Sequence, residues 1–153
     1  MNLKENLEVI SRLFLGGIFA FAGFSKVFYF RTFVYDFQNF EIIPSSIVLP
    51  FAFLLVALEA SFGVTLTVGL FSRISALVLA VLSAIFALAT FINLIRGNIV
   101  HCGCFGSIDS EAITYNNIIR NLVLFAIGVW TALQRHFKFS LDAILARNEN
   151  INQ

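Results

Sequence analysis

Both cysteines of this chain, Cys102 and Cys104, lie one residue apart in the segment His101-Cys102-Gly103-Cys104-Phe105-Gly106. Thiols at this spacing close a disulfide only in tight local geometry, because bridged Cα atoms usually lie about 4.4–6.8 Å apart. Gly103 relieves the backbone strain of such a small ring. A strained and exposed disulfide exchanges with other thiols instead of acting as a permanent staple. The spacing therefore predicts redox chemistry by thiol–disulfide exchange, with Cys102 and Cys104 as the catalytic pair.

Two other interpretations of the cysteine pair stay open at this point. In the first, the thiols are inert and buried. In the second, the pair binds a metal together with His101 and the weaker ligand Asp109. Structural zinc sites usually combine two cysteines separated by two to four residues with a second ligand pair. The chain contains no such second pair, so a metal is not expected.

The composition predicts a membrane scaffold around this loop. Of the 153 residues, 59% are hydrophobic and only 12% are charged, against about 45–50% and about 25% in a typical soluble domain. A soluble globule of this length buries only about 70% of its chain surface and could not hide so much apolar area. The net charge is +1, and no basic stripe is available to bind nucleic acid.

Four apolar stretches are candidate transmembrane helices, at about residues 7–30, 47–71, 74–95 and 114–133. About 20 apolar residues cross the hydrocarbon core, and the first stretch is too long for a cleaved signal peptide. Without period-2 alternation, these spans exclude a closed barrel. We therefore expect an all-α, polytopic four-helix membrane bundle in residues 1–135, with a loop or surface-lying segment at 31–46. Residues 136–153 form a polar tail.

Small side chains recur every four positions along the third stretch, at Ala76, Ala80 and Ala84. Such seams allow membrane helices to approach closely. The pattern predicts a helix contact along this face.

The distribution of basic residues gives a weak orientation. Four spans place both termini on one side, and more Lys and Arg residues fall on that side than on the other. Cytoplasmic loops carry the excess of positive charge. We therefore expect cytoplasmic termini in the inner (plasma) membrane and an extracytoplasmic cysteine loop, where disulfides persist.

Four alternating spans bring Lys26, Arg96 and Arg120 to the same membrane face as the cysteines. Nearby cations favour the thiolate, which is the reactive form of cysteine. The simpler alternative is that these three side chains are flanking residues that extend to the interface.

Glu59 lies near the middle of the second apolar stretch. A carboxylate at that depth is costly, so it should be protonated or face a cation inside the bundle. Lys26 and Arg120 are the nearest candidates by depth. Glu59 is expected to carry protons, to orient a bound quinone, or to form a structural ion pair.

The order of these residues resembles the MauE and DoxX-like membrane families. The resemblance rests on Arg12 with Gly16-Gly17-Ile18-Phe19, Ala22-Gly23 and Lys26, Glu59 followed by Gly63, the CGCFG segment at 102–106, and Arg120-Asn121. It covers about residues 10–133. The CGCFG segment between the third and fourth spans is specific for MauE.

The resemblance implies a redox-associated inner-membrane protein. MauE-type proteins are linked to maturation of a periplasmic, disulfide-rich subunit of methylamine dehydrogenase, and DoxX relatives to quinone-coupled oxidation of sulfur compounds. The bundle also distantly resembles vitamin K epoxide reductase, which makes disulfides at the expense of a quinone. That enzyme has a C-x-x-C pair and a second cysteine pair, neither of which occurs here.

Two hypotheses follow for the function. In the first, the chain is a thiol–disulfide oxidoreductase that exchanges disulfides with an extracytoplasmic thioredoxin-like or secreted redox protein. Electrons then pass to a membrane quinone held near Glu59, Lys26 and Arg120. In the second, the chain is a non-catalytic maturation or assembly factor, or a subunit of a quinone-linked sulfur-compound oxidoreductase. A small-molecule carrier is a poorer fit, because no span is broken.

Overall fold

The computed structural model describes residues 3–97 and 114–134, and these residues form five helices and no strand. The helices are α1 (Leu3–Phe28), α2 (Phe30–Asn39), α3 (Ser45–Val68), α4 (Ser72–Arg96) and α5 (Tyr115–Leu133). The cysteine loop and the polar tail predicted for residues 136–153 lie outside the described residues.

Four of the helices are long and apolar enough to cross a membrane, at Asn6–Phe28, Ser45–Val68, Ser72–Arg96 and Tyr115–Leu133. Each span also carries large apolar side chains on its outer surface, among them Phe14, Phe53, Leu88 and Val123, which are all at least half exposed. Contact between apolar side chains and water is unfavourable, whereas contact with lipid tails is not. The predicted all-α, four-span membrane bundle is therefore confirmed.

The segment between the first two spans was predicted to be a loop or a surface-lying segment, and most of it is the helix α2. Apolar residues at helical spacing explain why it folds, because Phe33 is buried and packs with Ala52 and Val56 of α3. Phe37 stacks on Phe33 at a centroid distance of 5.8 Å. This aromatic face fixes α2 across the end of α3.

The second and third spans are joined by a tight turn. α3 ends where Gly69 adopts a left-handed conformation, with φ of 83°. Its N–H and that of Leu70 return to the carbonyl of Thr65, each at 2.9 Å. Glycine takes this conformation without steric cost. The helix therefore stops before Phe71, where hydropathy alone predicted its end.

The bundle is built from two extensive helix pairs, α1 with α3 and α4 with α5. The small-residue seam predicted on α4 lies in the second pair. A Cβ atom placed on Gly128 of α5 would lie only 2.8 Å from Cβ of Ala80 and 3.3 Å from the carbonyl oxygen of Ala76. The helices approach this closely because all three residues are small.

Side-chain bonds identify the two ends of the bundle. At one end, the Thr131 hydroxyl of α5 donates to the Ser11 hydroxyl of α1 at 3.4 Å, and Arg73 Nε of α4 donates to the Ala132 carbonyl at 3.3 Å. At the other end, Arg96 Nη1 donates to the Glu41 carbonyl, just before α3, at 3.5 Å. We call this second end the loop end, because α4 ends there and the cysteine loop follows it in the chain.

Candidate functional site

Glycines set the register between α1 and α3, and so determine which side chains meet inside the bundle. A Cβ on Gly16 would lie 2.8 Å from the backbone nitrogen of Thr67, and a Cβ on Gly23 would lie 2.6 Å from that of Ala60. A Cβ on Gly63 would collide with the backbone of Ala20. The two backbones are therefore in direct contact along an antiparallel crossing.

This register places Lys26, near the end of α1, opposite Glu59 in the middle of α3. Lys26 Nζ donates to Glu59 Oε2 at 2.6 Å, and the two side chains are 0% and 1% exposed. The sequence predicted that Glu59 is either protonated or paired with a cation, with Lys26 and Arg120 as the candidates, and the structure pairs it with Lys26. The side chain of Lys26 runs toward the start of its own helix, as helical geometry favours.

Two aromatic rings enclose the lysine ammonium group. Nζ lies 4.7 Å from the ring centroid of Phe86 on α4 and 5.2 Å from that of Phe33 on α2. Ring faces attract a cation, and most strongly where water is excluded. Helices α1, α2, α3 and α4 therefore all contribute to one buried cation site.

A small cavity lies beside Glu59, where the four spanning helices meet. It is lined by Ile18, Phe19, Ala22, Glu59, Phe86, Asn121 and Leu124, and its volume is about 10 Å³. A cavity of this size holds about one water molecule, whereas pockets for organic ligands have volumes of about 300–1,000 Å³. A quinone headgroup therefore does not fit between Glu59 and Asn121 in this arrangement.

Buried amides continue from this cavity toward the loop end, and the sequence reasoning missed their role. Asn121 is 3% exposed and Asn117 is 7% exposed, one turn apart on α5. On α4, Asn93 and Thr90 are also buried. Polar side chains inside a membrane bundle face other helices and mark functional paths. The i, i+4 spacing of Asn117 and Asn121 within an apolar span was the signal that could have found them.

The predicted cluster of three cations around the cysteines is only partly within the described residues, because the cysteines lie outside them. Lys26 is turned into the bundle and paired, so its charge is neutralised away from the loop end. Arg96 is exposed and contacts the carbonyl of Glu41. Arg120 is half-buried in the second turn of α5, next to the cavity residue Asn121. The proximity of these three cations to the cysteines stays a prediction, and the charge of Lys26 is already paired with Glu59.

The predicted catalytic residues Cys102 and Cys104 lie outside the described residues, as do the alternative metal ligands His101 and Asp109. The connection that carries them leaves the bundle after Arg96 of α4 and enters it again before Tyr115 of α5.

The profile of the family described as "Methylamine utilisation protein MauE" matches residues 4–134. The curated "Methylamine utilization protein MauE" of Paracoccus denitrificans is 32% identical over 119 residues, which make up 77% of this chain and 64% of that protein. The match thus spans less than two thirds of the length of this relative. No solved structure matches the chain.

Proposed function

This chain belongs to the MauE family of methylamine utilisation proteins, and on that premise we propose that it exchanges disulfides through Cys102 and Cys104 with an extracytoplasmic thiol protein. In this proposal the exchange serves the maturation of a secreted or periplasmic redox protein. The termini lie in the cytoplasm and the cysteine loop lies outside the plasma membrane. Four membrane spans agree with both termini on one side.

The observation that carries the proposal is the position of the only two cysteines in the chain. They are one residue apart, in the connection between the last two membrane spans. In this proposal the pair lies at the membrane surface, where a secreted partner can reach it. The connection joins α4 and α5, which form one of the two extensive helix pairs of the bundle.

The exchange has two steps. A thiolate of the partner attacks one sulfur of the Cys102–Cys104 disulfide, which breaks that bond and forms a mixed disulfide. The second partner thiolate then attacks its own mixed-disulfide sulfur, which releases Cys102 and Cys104 as thiols. Two electrons and two protons pass from the partner to this chain, and the partner gains the disulfide.

The chain has no second cysteine pair, so a separate acceptor must oxidise the thiols again. We assign this step to a second thiol–disulfide protein. Quinone coupling at Glu59, Lys26 and Arg120 remains a prediction, and the small cavity beside Glu59 argues against a quinone at that position. Quinone coupling is tested by adding a ubiquinone analogue to the reduced protein in liposomes. If coupling is direct, the thiols of Cys102 and Cys104 should reduce the analogue.

Mixed-disulfide trapping tests the main proposal. Cys104→Ser leaves one thiol, which can attack the disulfide of an oxidised thiol protein but has no neighbouring thiol to resolve the mixed disulfide. A covalent complex with that protein should therefore accumulate in cells that need methylamine utilisation. Cys102→Ser is the matched variant and tells which of the two thiols makes the attack. The double variant should form no complex. Cysteines that stay reduced under all growth conditions would contradict the proposal.

The second candidate function is a non-catalytic maturation factor. It is favoured by the Lys26–Glu59 pair, in which the two buried charges neutralise each other. Such a bundle is a rigid scaffold that docks its partner through the loop. In that case, Cys102→Ser with Cys104→Ser supports growth on methylamine as well as the wild type does.

A further inference from the structure

The cavity beside Glu59 has polar groups suited to hold one water molecule. Glu59 of α3 and Asn121 of α5 both line it, and its other walls are apolar. Oε2 of Glu59 accepts one hydrogen bond from Lys26, whereas an ionised carboxylate has room for about four. A buried water needs two to four polar partners, and the carboxylate and the amide supply them.

A second buried amide lies one turn closer to the loop end. Nδ2 of Asn117 is buried without a hydrogen-bond partner, although the residue is only 7% exposed. Leaving such a donor unsatisfied costs about 1–3 kcal/mol, so groups of this kind are commonly bonded to water. Asn117 therefore supplies, independently of the cavity, a buried donor on α5 that a water molecule would satisfy.

The helix register connects these two amides with polar groups of α4. Gly128 of α5 packs against Ala80 of the antiparallel α4, which places Asn117 close to the level of Thr90 and Asn93. Both α4 residues are buried, and the Thr90 hydroxyl donates to the Phe86 carbonyl at 2.7 Å. Buried polar groups are thus present on both α4 and α5 between the loop end and the level of the cavity.

The other approach to the ion pair from the loop end is covered by aromatic rings. Phe33 of α2 and Phe86 of α4 lie 5.2 Å and 4.7 Å from Lys26 Nζ. The rings cannot hydrogen-bond a chain of water molecules, whereas amide groups can. We therefore expect a proton from the loop end to reach Glu59 along the amides and not past the rings.

We propose that Glu59 is a proton-exchanging site, served by a water in the cavity and by a water-filled path along Asn121 and Asn117 to the loop end. The charged group in contact with Glu59 is Lys26 of α1, and α5 carries Arg120 next to Asn121. Proton uptake by the carboxylate removes the negative half of the ion pair and frees the ammonium group to move. This site does not depend on disulfide exchange.

Infrared spectroscopy of the full-length protein in liposomes tests the proposal. The protein is labelled with ¹³C-glutamate, and the spectrum of the double variant Lys26→Met with Glu59→Leu, which leaves no buried charge, is subtracted to isolate the carboxyl of Glu59. After a pH jump, the wild-type carboxyl signal should change and relax. In Asn117→Leu the relaxation should be about tenfold slower, as expected when one hydrogen-bonded step is lost.

Thr131→Val is the matched control, because Thr131 is a buried polar residue of α5 at the opposite end of the bundle. It should relax at the wild-type rate. The proposal is overturned by a Glu59 signal that does not respond to pH while the protein stays folded, or by equal rates in Asn117→Leu and wild type. If Asn117→Leu does not fold, water-edited NMR of the wild type replaces this comparison. Magnetisation transfer from water to the Glu59 carboxyl carbon would support the proposal, and its absence would show a dry cavity and overturn it.

Discussion

Lys26 Nζ on α1 and Glu59 Oε2 on α3 are 2.6 Å apart, and neither side chain is more than 1% exposed. The pair joins the two helices that the glycines bring into backbone contact. A buried pair of this kind contributes little net stability relative to apolar side chains, but loss of one partner leaves an uncompensated charge.

Replacement of one member of the pair should therefore be strongly destabilising. We expect Lys26→Met and Glu59→Gln each to lower the free energy of unfolding by about 3–5 kcal/mol. The double variant Lys26→Met with Glu59→Leu should be close to wild type, because it leaves no buried charge. Denaturant titration in detergent micelles, followed by circular dichroism, measures all three. A double variant that loses the sum of the two single effects would contradict this account.

The close approach of α1 and α3 gives a comparison between neighbouring glycines. A Cβ on Gly16 would lie 2.6 Å from Thr67 Oγ1, whereas nothing lies within 4 Å of a Cβ on Gly17. Gly16→Ala should lower the free energy of unfolding by about 1–3 kcal/mol through overpacking. Gly17→Ala should raise it by about 0.5–1 kcal/mol, because alanine favours the helix. Equal thermal midpoints for the two variants would argue against the contact.

The ring of Phe86 should stabilise the lysine ammonium group. Phe86→Leu removes the ring face 4.7 Å from Nζ, and we expect a loss of about 1–2 kcal/mol. Phe91 lies on the same helix and is 49% exposed, so Phe91→Leu should change the stability by less than about 0.5 kcal/mol. The effect of Phe86→Leu should also vanish in a Lys26→Met background, and a double-mutant cycle measures this coupling.

Membrane orientation can be tested at two exposed positions. Thr32 lies on α2 at the loop end, and Arg73 lies at the start of α4 at the other end. In a background with Cys102→Ser and Cys104→Ser, a membrane-impermeant maleimide should label Thr32→Cys in intact cells. It should label Arg73→Cys only after the cells are lysed. The reverse pattern would place the cysteine loop in the cytoplasm.

Hydropathy was sufficient to predict the four spans, and depth was sufficient to predict that Glu59 is either protonated or paired with a cation. The choice between Lys26 and Arg120 was not predictable, because it depends on the register of α1 against α3. That register follows from backbone contacts at Gly16, Gly23 and Gly63. The sequence gives the position of each glycine, but it does not give the helix that packs against it.

The helix α2 and the buried amides were missed for a different reason. α2 has polar residues between its phenylalanines, and its helical form is fixed by packing of Phe33 against α3. Asn117 and Asn121 lie in a span whose only charged residue is Arg120, and hydropathy alone does not show that their amides are buried. The sequence shows the i, i+4 spacing of the two asparagines, but it does not show which helix packs against that face of α5.

The ion pair between α1 and α3 also bears on how the chain enters the membrane. A charged side chain opposes the insertion of a single helix, by about 2.5–3.5 kcal/mol for a lysine at the helix centre and by less near the helix end. α1 and α3 are both synthesised before α5, so Lys26 and Glu59 can neutralise each other while the last span is still on the ribosome. Crosslinking of α1 to α3 in stalled nascent chains that end before Tyr115 would detect this intermediate. The translocon would then release a neutral hairpin of two helices instead of two separately charged ones.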